Sequence, residues 1–282
     1  MSKHVSLRLH APEEQLDVSV AEATRQVPLG LQLNPIADYF DATSRLKAKI
    51  LTASISNDAE LLGLMIIGVI SAAEFYFRSV LGRVVQICPL CARQAEATQV
   101  PAGAFSFYES SDYSFALGAM EHESLADAAK VAQYINKLTG FKANDDSSVA
   151  AALQGYESLC ELRHCLAHAR GFVGLKASRA LGLEQRALAK VLVSQTGAFE
   201  LLKLSHNAVR SVNRFLLDSL VNRWIDGDVL CGVWANDRTK FERAWKSFSV
   251  AGEDGFNGNM RSAYAVVRQS IVKRQQAIAA KA

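Results

Sequence analysis

The chain has 282 residues, half of them hydrophobic, and its 31 Lys and Arg against 28 Asp and Glu give a net charge of +3. This composition excludes an intrinsically disordered chain and allows one large or two small domains with a sizeable core. The charge is too small to indicate a nucleic-acid-binding protein by itself.

The number of cysteines and the hydropathy of the chain indicate in which cellular compartment the protein functions. The 5 cysteines are an odd number and lie mostly beside helical residues, which favours a reducing environment. The first residues do not have the basic start, apolar middle and small-residue cleavage site of a secretory signal. The most apolar run, residues 61–73, is interrupted by Glu74 and is too short to cross a bilayer. We therefore expect a cytoplasmic protein with no membrane segment.

The first half of the chain begins with an arm and continues with two helices. Residues 1–33 alternate weakly between apolar and polar types, which predicts a short strand or an arm. Asn34-Pro35 predicts a helix that runs towards Ser54, because proline is favoured at the first helical position. Ser56-Asn57-Asp58 then caps the strongest predicted helix, residues 59–87, which has apolar side chains at helical spacing.

Cys88-Pro89-Leu90-Cys91 follows this helix directly. Half of a zinc site is one interpretation, but zinc needs two further ligands and the chain has no second Cys-x-x-Cys. A redox pair of this type is typical of a strand-to-helix turn in an α/β fold, which this sequence does not resemble. We expect Pro89 to end the helix, the cysteines to be ordinary thiols, and the chain to bind no metal or cofactor.

The middle of the chain is predicted to contain a loop and two helices. Residues 92–112 are polar and contain Gly, Ser and Pro, as a loop does, and residues 113–138 have helical periodicity. Residues 147–170 form the next predicted helix, which begins at a cap near Ser147 and ends before Gly171. Aromatic residues around the start of helix 113–138 either pack into the core or stack on bases: Phe105, Phe107, Tyr108, Tyr113 and Phe115.

The last third of the chain is predicted to contain one small sheet and several helices. Residues 191–202 predict a β-hairpin with a Gly-bearing turn, and Ser205 caps a helix that reaches about Ile225. The final helix carries basic side chains and no acidic one, so it either binds phosphate backbones or presents a solvated face. We predict an all-α helical bundle with a minor β-hairpin, divided into an arm and helix (1–55), a central bundle (56–225) and a C-terminal helical extension (226–282).

The end of helix 147–170 carries the most informative pattern. An apolar stripe runs through Leu153, Tyr156 and Cys160 and then becomes basic at Arg163 and His164. Unpaired charge is costly to bury, so this end must meet a carboxylate, a partner chain or an anion. His168 follows four residues after His164, on the same side of the helix.

An Arg, a polar residue, three further residues and a His resemble the signature of the HEPN superfamily (higher eukaryotes and prokaryotes nucleotide-binding domain). The resemblance includes Glu74 on the leading helix and Gly171 after the motif, and it covers about residues 56–225. It implies a bundle of the HEPN type and an obligate homodimer with a composite site and no metal. Arg163 and His168 match the family's catalytic pair. His164 matches its polar second position, which is often Asn.

These residue types suit RNA cleavage without metal. The reaction needs a base for the 2′-OH proton, an acid for the leaving oxygen and a cation for the phosphate charge. Histidine can fill either proton role, and Arg offers a bidentate fork for phosphate oxygens. Two copies of the helix across a twofold would bring two such sets together, and the small Ala167 would let them approach.

The resemblance therefore implies a metal-independent endoribonuclease that acts on RNA. Such ribonucleases commonly act in toxin–antitoxin or phage-defence systems, so an antitoxin or other regulatory protein is a further expected partner. Arg170 is an expected RNA-binding residue, although it can also serve only to stabilise the helix dipole. The alternative is a non-catalytic HEPN module for dimerisation or for nucleotide or RNA binding.

Two further interpretations concern carboxylates near the motif. Glu74 either forms an exposed i,i+4 pair with Arg78 or is a semi-buried carboxylate that orients Arg163 or a motif histidine. Glu161-x-x-His164 has the spacing of a di-iron bundle site. That site would require a second Glu-x-x-His, which the chain does not contain.

Overall fold

The structure is a computed structural model that describes residues 24–25, 34–52, 58–102, 118–184, 189–250, 252 and 255–280. The chain divides into two compact units, Met1–Leu31 and Gln32–Ala282. The predicted N-terminal strand or arm and the aromatic residues 105–115 lie outside the described residues. The boundaries 1–55, 56–225 and 226–282 remain predictions.

Within the described residues the chain is helical and forms no strand, so the prediction of an all-α fold is confirmed. A short 3-10 turn, Ala143–Asp145, precedes the fifth helix. The helices are α1 (Pro35–Ile50), α2 (Ala59–Ile87), α3 (Pro89–Ala95), α4 (Ala128–Thr139), α5 (Ser147–His168), α6 (Leu175–Ala180), α7 (Gln195–Asp226), α8 (Trp234–Phe248) and α9 (Met260–Ala279).

Helix α2 is the centre of the bundle. It begins where predicted, because the Asp58 carboxylate accepts the N–H groups of Glu60 and Leu61 at 3.1 and 3.0 Å. Most of its side chains are buried, and α1, α5 and α7 pack along it. Gly63 permits the close approach of α5, since a Cβ there would lie 3.3 Å from Leu166. Cys88 ends the helix, as the sequence predicts, but Pro89 then begins α3, whose last residues extend into the predicted loop 92–112.

Helix α2 is also long and apolar enough to cross a membrane. It has 29 residues and a most apolar window of mean hydropathy 1.7, of which 56% is buried inside the fold. The helix is longer than the apolar run 61–73, which is by itself too short to cross a bilayer. Burial of this kind is what the central helix of a helical bundle requires.

The predicted β-hairpin over residues 191–202 is wrong. Residues from Gln195 onwards form the first turns of α7, and the Ser194 hydroxyl caps them by accepting the Gly197 N–H at 3.0 Å. The Ser-x-x-Gly sequence therefore begins a helix instead of a turn, because the apolar residues after it repeat at helical spacing and are buried. In the described part of the chain, the β-pairing is a single isolated bridge between Phe172 and Lys190.

The helix predicted over residues 113–138 is interrupted: residues 118–119 are helical, residues 120–127 are not, and residues 113–117 lie outside the described residues. Helix α4 starts at Ala128, where the Asp127 carboxylate accepts the Lys130 N–H at 2.9 Å. The residues directly before it form turns and irregular backbone, and buried Leu125 donates its N–H to the Glu74 carboxylate at 3.0 Å. Tertiary hydrogen bonding therefore replaces the helical hydrogen bonds that the periodicity of this segment predicts.

The C-terminal helices are attached by polar contacts. Asp237 of α8 is fully buried and accepts the Tyr264 hydroxyl of α9 at 2.5 Å and the Gly232 N–H at 2.8 Å. Arg274 of α9 pairs with Asp228 at 2.6 Å. One basic side chain of the last helix thus attaches it to the bundle, whereas its neighbour Lys273 is exposed.

Candidate active site at the end of the motif helix

Helix α5 presents the Arg-His motif in its last two turns. The Asp146 carboxylate caps the first turn by accepting the Ser148 N–H at 2.9 Å. At the other end Gly171 has φ +86° and donates its N–H to the Cys165 carbonyl at 2.8 Å. A side chain at Gly171 would also lie 3.0 Å from the Val191 carbonyl oxygen, so glycine fits this position.

The two motif histidines lie together on the exposed side of α5. The ring centroids of His164 and His168 are 5.3 Å apart and the rings are tilted by 54°. Both side chains and the intervening Ala167 are exposed, whereas Leu162 and Cys165 face the core. Both imidazoles are therefore accessible to a ligand or to a second chain.

Arg163 lies on the flank of α5 between the core and solvent. Its Nε is buried and has no hydrogen-bond partner within the described residues. No carboxylate of the described ranges lies within 4 Å of its guanidinium nitrogens, so its charge is not compensated by an ion pair there. A buried donor without an acceptor is costly, and an anionic ligand would remove that cost.

A cavity of about 400 Å³ opens beside Arg163 and His164. Carboxylates of Asp127, Glu157 and Glu161 also line it, so cationic and anionic side chains face the same space. Of the three predicted catalytic residues, the cavity brings together Arg163 and His164. His168 is one turn further along α5 and is not among its lining residues.

Glu74 does not contact the motif, and the hypothesis that it orients Arg163 or a motif histidine is wrong. Its Oε1 accepts the Arg78 guanidinium at 2.8 Å and the Leu125 N–H at 3.0 Å. The alternative i,i+4 pair with Arg78 is confirmed, but it is not an exposed pair, because Glu74 is only 8% exposed. Its partner Arg78 in addition donates to the Glu123 carbonyl, so this carboxylate connects α2 to the segment before α4.

Arg170 and the two cysteines of the CxxC sequence lie away from the cavity. Arg170 is exposed and borders a second groove, of about 180 Å³, with Glu60 and Lys190. Cys88 and Cys91 are fully buried free thiols. The Cys91 N–H donates to the Cys88 sulfur at 3.4 Å, and hydrogen bonding from Cys91 lowers the pKa of Cys88.

The carboxylates of the cavity were not predicted as one group. Glu157 and Glu161 are four residues apart on α5, so helical spacing alone puts them on one face. Asp127 precedes α4 and could not be placed beside them from the sequence. In the described part of the chain, no group of three or more His, Cys, Asp or Glu side chains has the arrangement of a metal site.

Comparisons with protein-family models, curated proteins and solved structures find no match for this chain. A function must therefore be argued from the residues of the site and from the motif that they form.

Replacing Glu74 with Ala should destabilise the protein without removing a residue of the motif. The change leaves the Leu125 N–H and the Arg78 charge without their acceptor, so we expect the free energy of unfolding to fall by about 2 kcal/mol. Urea denaturation at neutral pH measures it. Glu60→Ala is the matched control, since its exposed ion pair with Lys190 should contribute little. Equal urea midpoints for the two variants would contradict this role of Glu74.

Proposed function

We propose that this chain is a metal-independent endoribonuclease of the HEPN type, with an active site that two copies of the chain build together. The observation that carries the proposal is Arg163, which has no anionic partner among the described residues and precedes two exposed histidines on the same helix. A phosphodiester supplies the missing anion, and imidazoles titrate near neutral pH.

The proposed chemistry is an attack of the ribose 2′-oxygen on the adjacent phosphorus. His168 of one protomer accepts the 2′-OH proton, and His168 of the partner subunit donates a proton to the departing 5′-oxygen. Arg163 binds the non-bridging oxygens, where negative charge increases in the transition state. The products are a 2′,3′-cyclic phosphate and a 5′-hydroxyl. His164 positions either the RNA or the imidazole ring of His168.

The homodimer is part of the same proposal, because one α5 supplies a single Arg-His set. The exposed Ala167 offers a small side chain at which a second α5 can approach closely. Exposed apolar Leu64 and Leu192 lie nearby, around the groove that Leu166 and Arg170 also line. Arg170 would extend the basic surface along the RNA backbone.

We further propose a cytoplasmic protein that acts as a toxin or phage-defence effector, with an antitoxin or another regulatory protein as its partner. One observation favours the alternative, a non-catalytic HEPN module for dimerisation or RNA binding. His168 does not border the cavity that Arg163 and His164 line, so in a single chain the proposed proton-transfer group stands apart from the arginine.

The first test of this proposal is RNA cleavage. The wild type should cleave single-stranded or loop RNA in the presence of EDTA, and it should leave DNA intact because DNA has no 2′-OH. His168→Ala should lower the rate by about 100-fold or more through loss of proton transfer. Arg163→Ala should lower both the rate and the RNA affinity. Gel electrophoresis and analysis of the cyclic phosphate termini measure these effects.

Matched controls are available on other surfaces. His122→Ala and Arg238→Ala remove the same side-chain types at positions outside the motif and should leave cleavage unchanged. A requirement for added metal would contradict the mechanism. An intact wild-type dimer that leaves total cellular RNA uncut would favour the non-catalytic module.

The second test concerns the homodimer. Ala167→Trp places a bulky ring where the two helices would meet, so overpacking should weaken the dimer and reduce cleavage with it. Analytical ultracentrifugation over a micromolar dilution series measures the association. Ala151→Trp, at an exposed position near the other end of α5, is the control. If the two variants and the wild type sediment alike, the dimer is not formed through this face.

A further inference from the structure

The cavity beside Arg163 has a composition that phosphate binding alone does not explain. An anion site requires cationic groups and N–H donors, yet three carboxylates line this space. Two of them have structural partners: Asp127 caps α4, and Glu157 accepts the Ala128 N–H at 2.9 Å. The third carboxylate belongs to Glu161.

Glu161 is a largely shielded carboxylate with one long ion pair and no hydrogen bond from the described residues. Its side chain is only 19% exposed, and its nearest cation, the Lys176 ammonium, is 3.8 Å away and 92% exposed. That separation is longer than a hydrogen bond. No donor among the described residues binds the Glu161 carboxylate. Shielded carboxylates are normally hydrogen-bonded, so this one is available to a ligand that brings N–H donors.

An aromatic ring completes the cavity. Phe172 follows the motif helix, lines the same space and is 45% exposed. Its backbone is fixed by hydrogen bonding to the Ala169 carbonyl at 2.8 Å and by the bridge to Lys190. An exposed ring on a fixed backbone is a platform on which a nucleobase can stack. The cavity volume, about 400 Å³, is within the range of small-molecule sites, about 300–1,000 Å³.

We infer that this cavity is a base-recognition pocket that selects guanine in single-stranded RNA, and this inference rests on the proposed ribonuclease function. In it, Phe172 stacks on the base, Glu161 accepts hydrogen bonds from its edge, and Arg163 binds the neighbouring phosphate. Each of the three side chains lines the one cavity.

Guanine follows from the hydrogen-bonding pattern of the bases. Its Watson–Crick edge presents two adjacent donors, N1–H and the N2 amino group, which match the two oxygens of one carboxylate. Adenine and cytosine each present a donor beside an acceptor, and the single donor of uracil lies between two acceptors. In each of these three bases an acceptor atom would face the negatively charged carboxylate. Their binding should therefore be weaker than that of guanine.

Binding of free nucleotides tests the pocket separately from catalysis. Isothermal titration calorimetry with GMP, IMP and AMP should give the tightest binding for GMP, at least about tenfold tighter than AMP. IMP lacks the N2 amino group and should be intermediate. Glu161→Gln should reduce the GMP preference to within about twofold, because an amide presents a donor where guanine also has one.

Control variants separate the contributions of the pocket. Glu161→Asp keeps the carboxylate and should retain part of the preference, whereas Glu242→Gln on α8 should leave binding unchanged. Phe172→Ala should weaken GMP and AMP binding alike, and Phe172→Tyr should preserve both. Circular dichroism establishes that each variant is folded. In the ribonuclease assay, the cleavage sites of the wild type should lie beside guanosine and should redistribute in Glu161→Gln.

The outcomes distinguish the two proposals. Selective GMP binding without RNA cleavage would support the pocket and contradict the ribonuclease. RNA cleavage with no preference for guanosine, unchanged in Glu161→Gln, would support the ribonuclease and overturn the pocket. Equal affinities for GMP and AMP in the wild type, or GMP selectivity that Glu161→Gln does not change, would also overturn it.

Discussion

A helix that is apolar around most of its circumference must be covered on most sides, and Ala59–Ile87 places this requirement on the whole bundle. Helices α1, α5 and α7 satisfy it by packing along its length. Ser79, Arg83 and Glu74 are the buried polar residues of this helix, and the Glu74 carboxylate is tolerated because Arg78 and the Leu125 N–H bind it. The same contacts fix the segment that leads into α4.

The exposed motif is a consequence of how α5 covers this helix. Tyr156 contacts the Phe77 ring at a centroid distance of 5.1 Å, and Leu166 packs over Gly63 near the other end, so the two helices run antiparallel. With its apolar face held against the core, α5 presents His164 and His168 outwards and places Arg163 on the flank between core and solvent, where its Nε is buried. The chain thus retains a costly buried donor at this edge, which is typical of residues kept for binding or chemistry.

Local signals predicted much of this fold, and contacts between distant residues explain the errors. The bounds of helix 59–87 followed from its cap and its apolar periodicity. The hairpin predicted over residues 191–202 was wrong because a Gly-bearing turn pattern also fits the first turn of a capped helix. The pair of Glu74 with Arg78 followed from i,i+4 spacing, but its hydrogen bond from the Leu125 N–H could not be predicted, because Leu125 is 51 residues away along the chain. Glu161 was assigned only a metal-binding alternative, since its missing donor is visible only in three dimensions.

The central claim, that two copies of the chain share one active site, is tested most directly by mixing active and inactive protein. A variant with Arg163→Ala and His168→Ala together is added in tenfold excess to the wild type at saturating RNA, and the initial cleavage rate is measured. If wild-type chains must pair with each other, the rate should fall to about a tenth by mass action. The same inactive variant carrying Ala167→Trp in addition should lower the cleavage rate much less, because that change weakens the dimer. A rate that the excess inactive chain does not change would contradict the shared site.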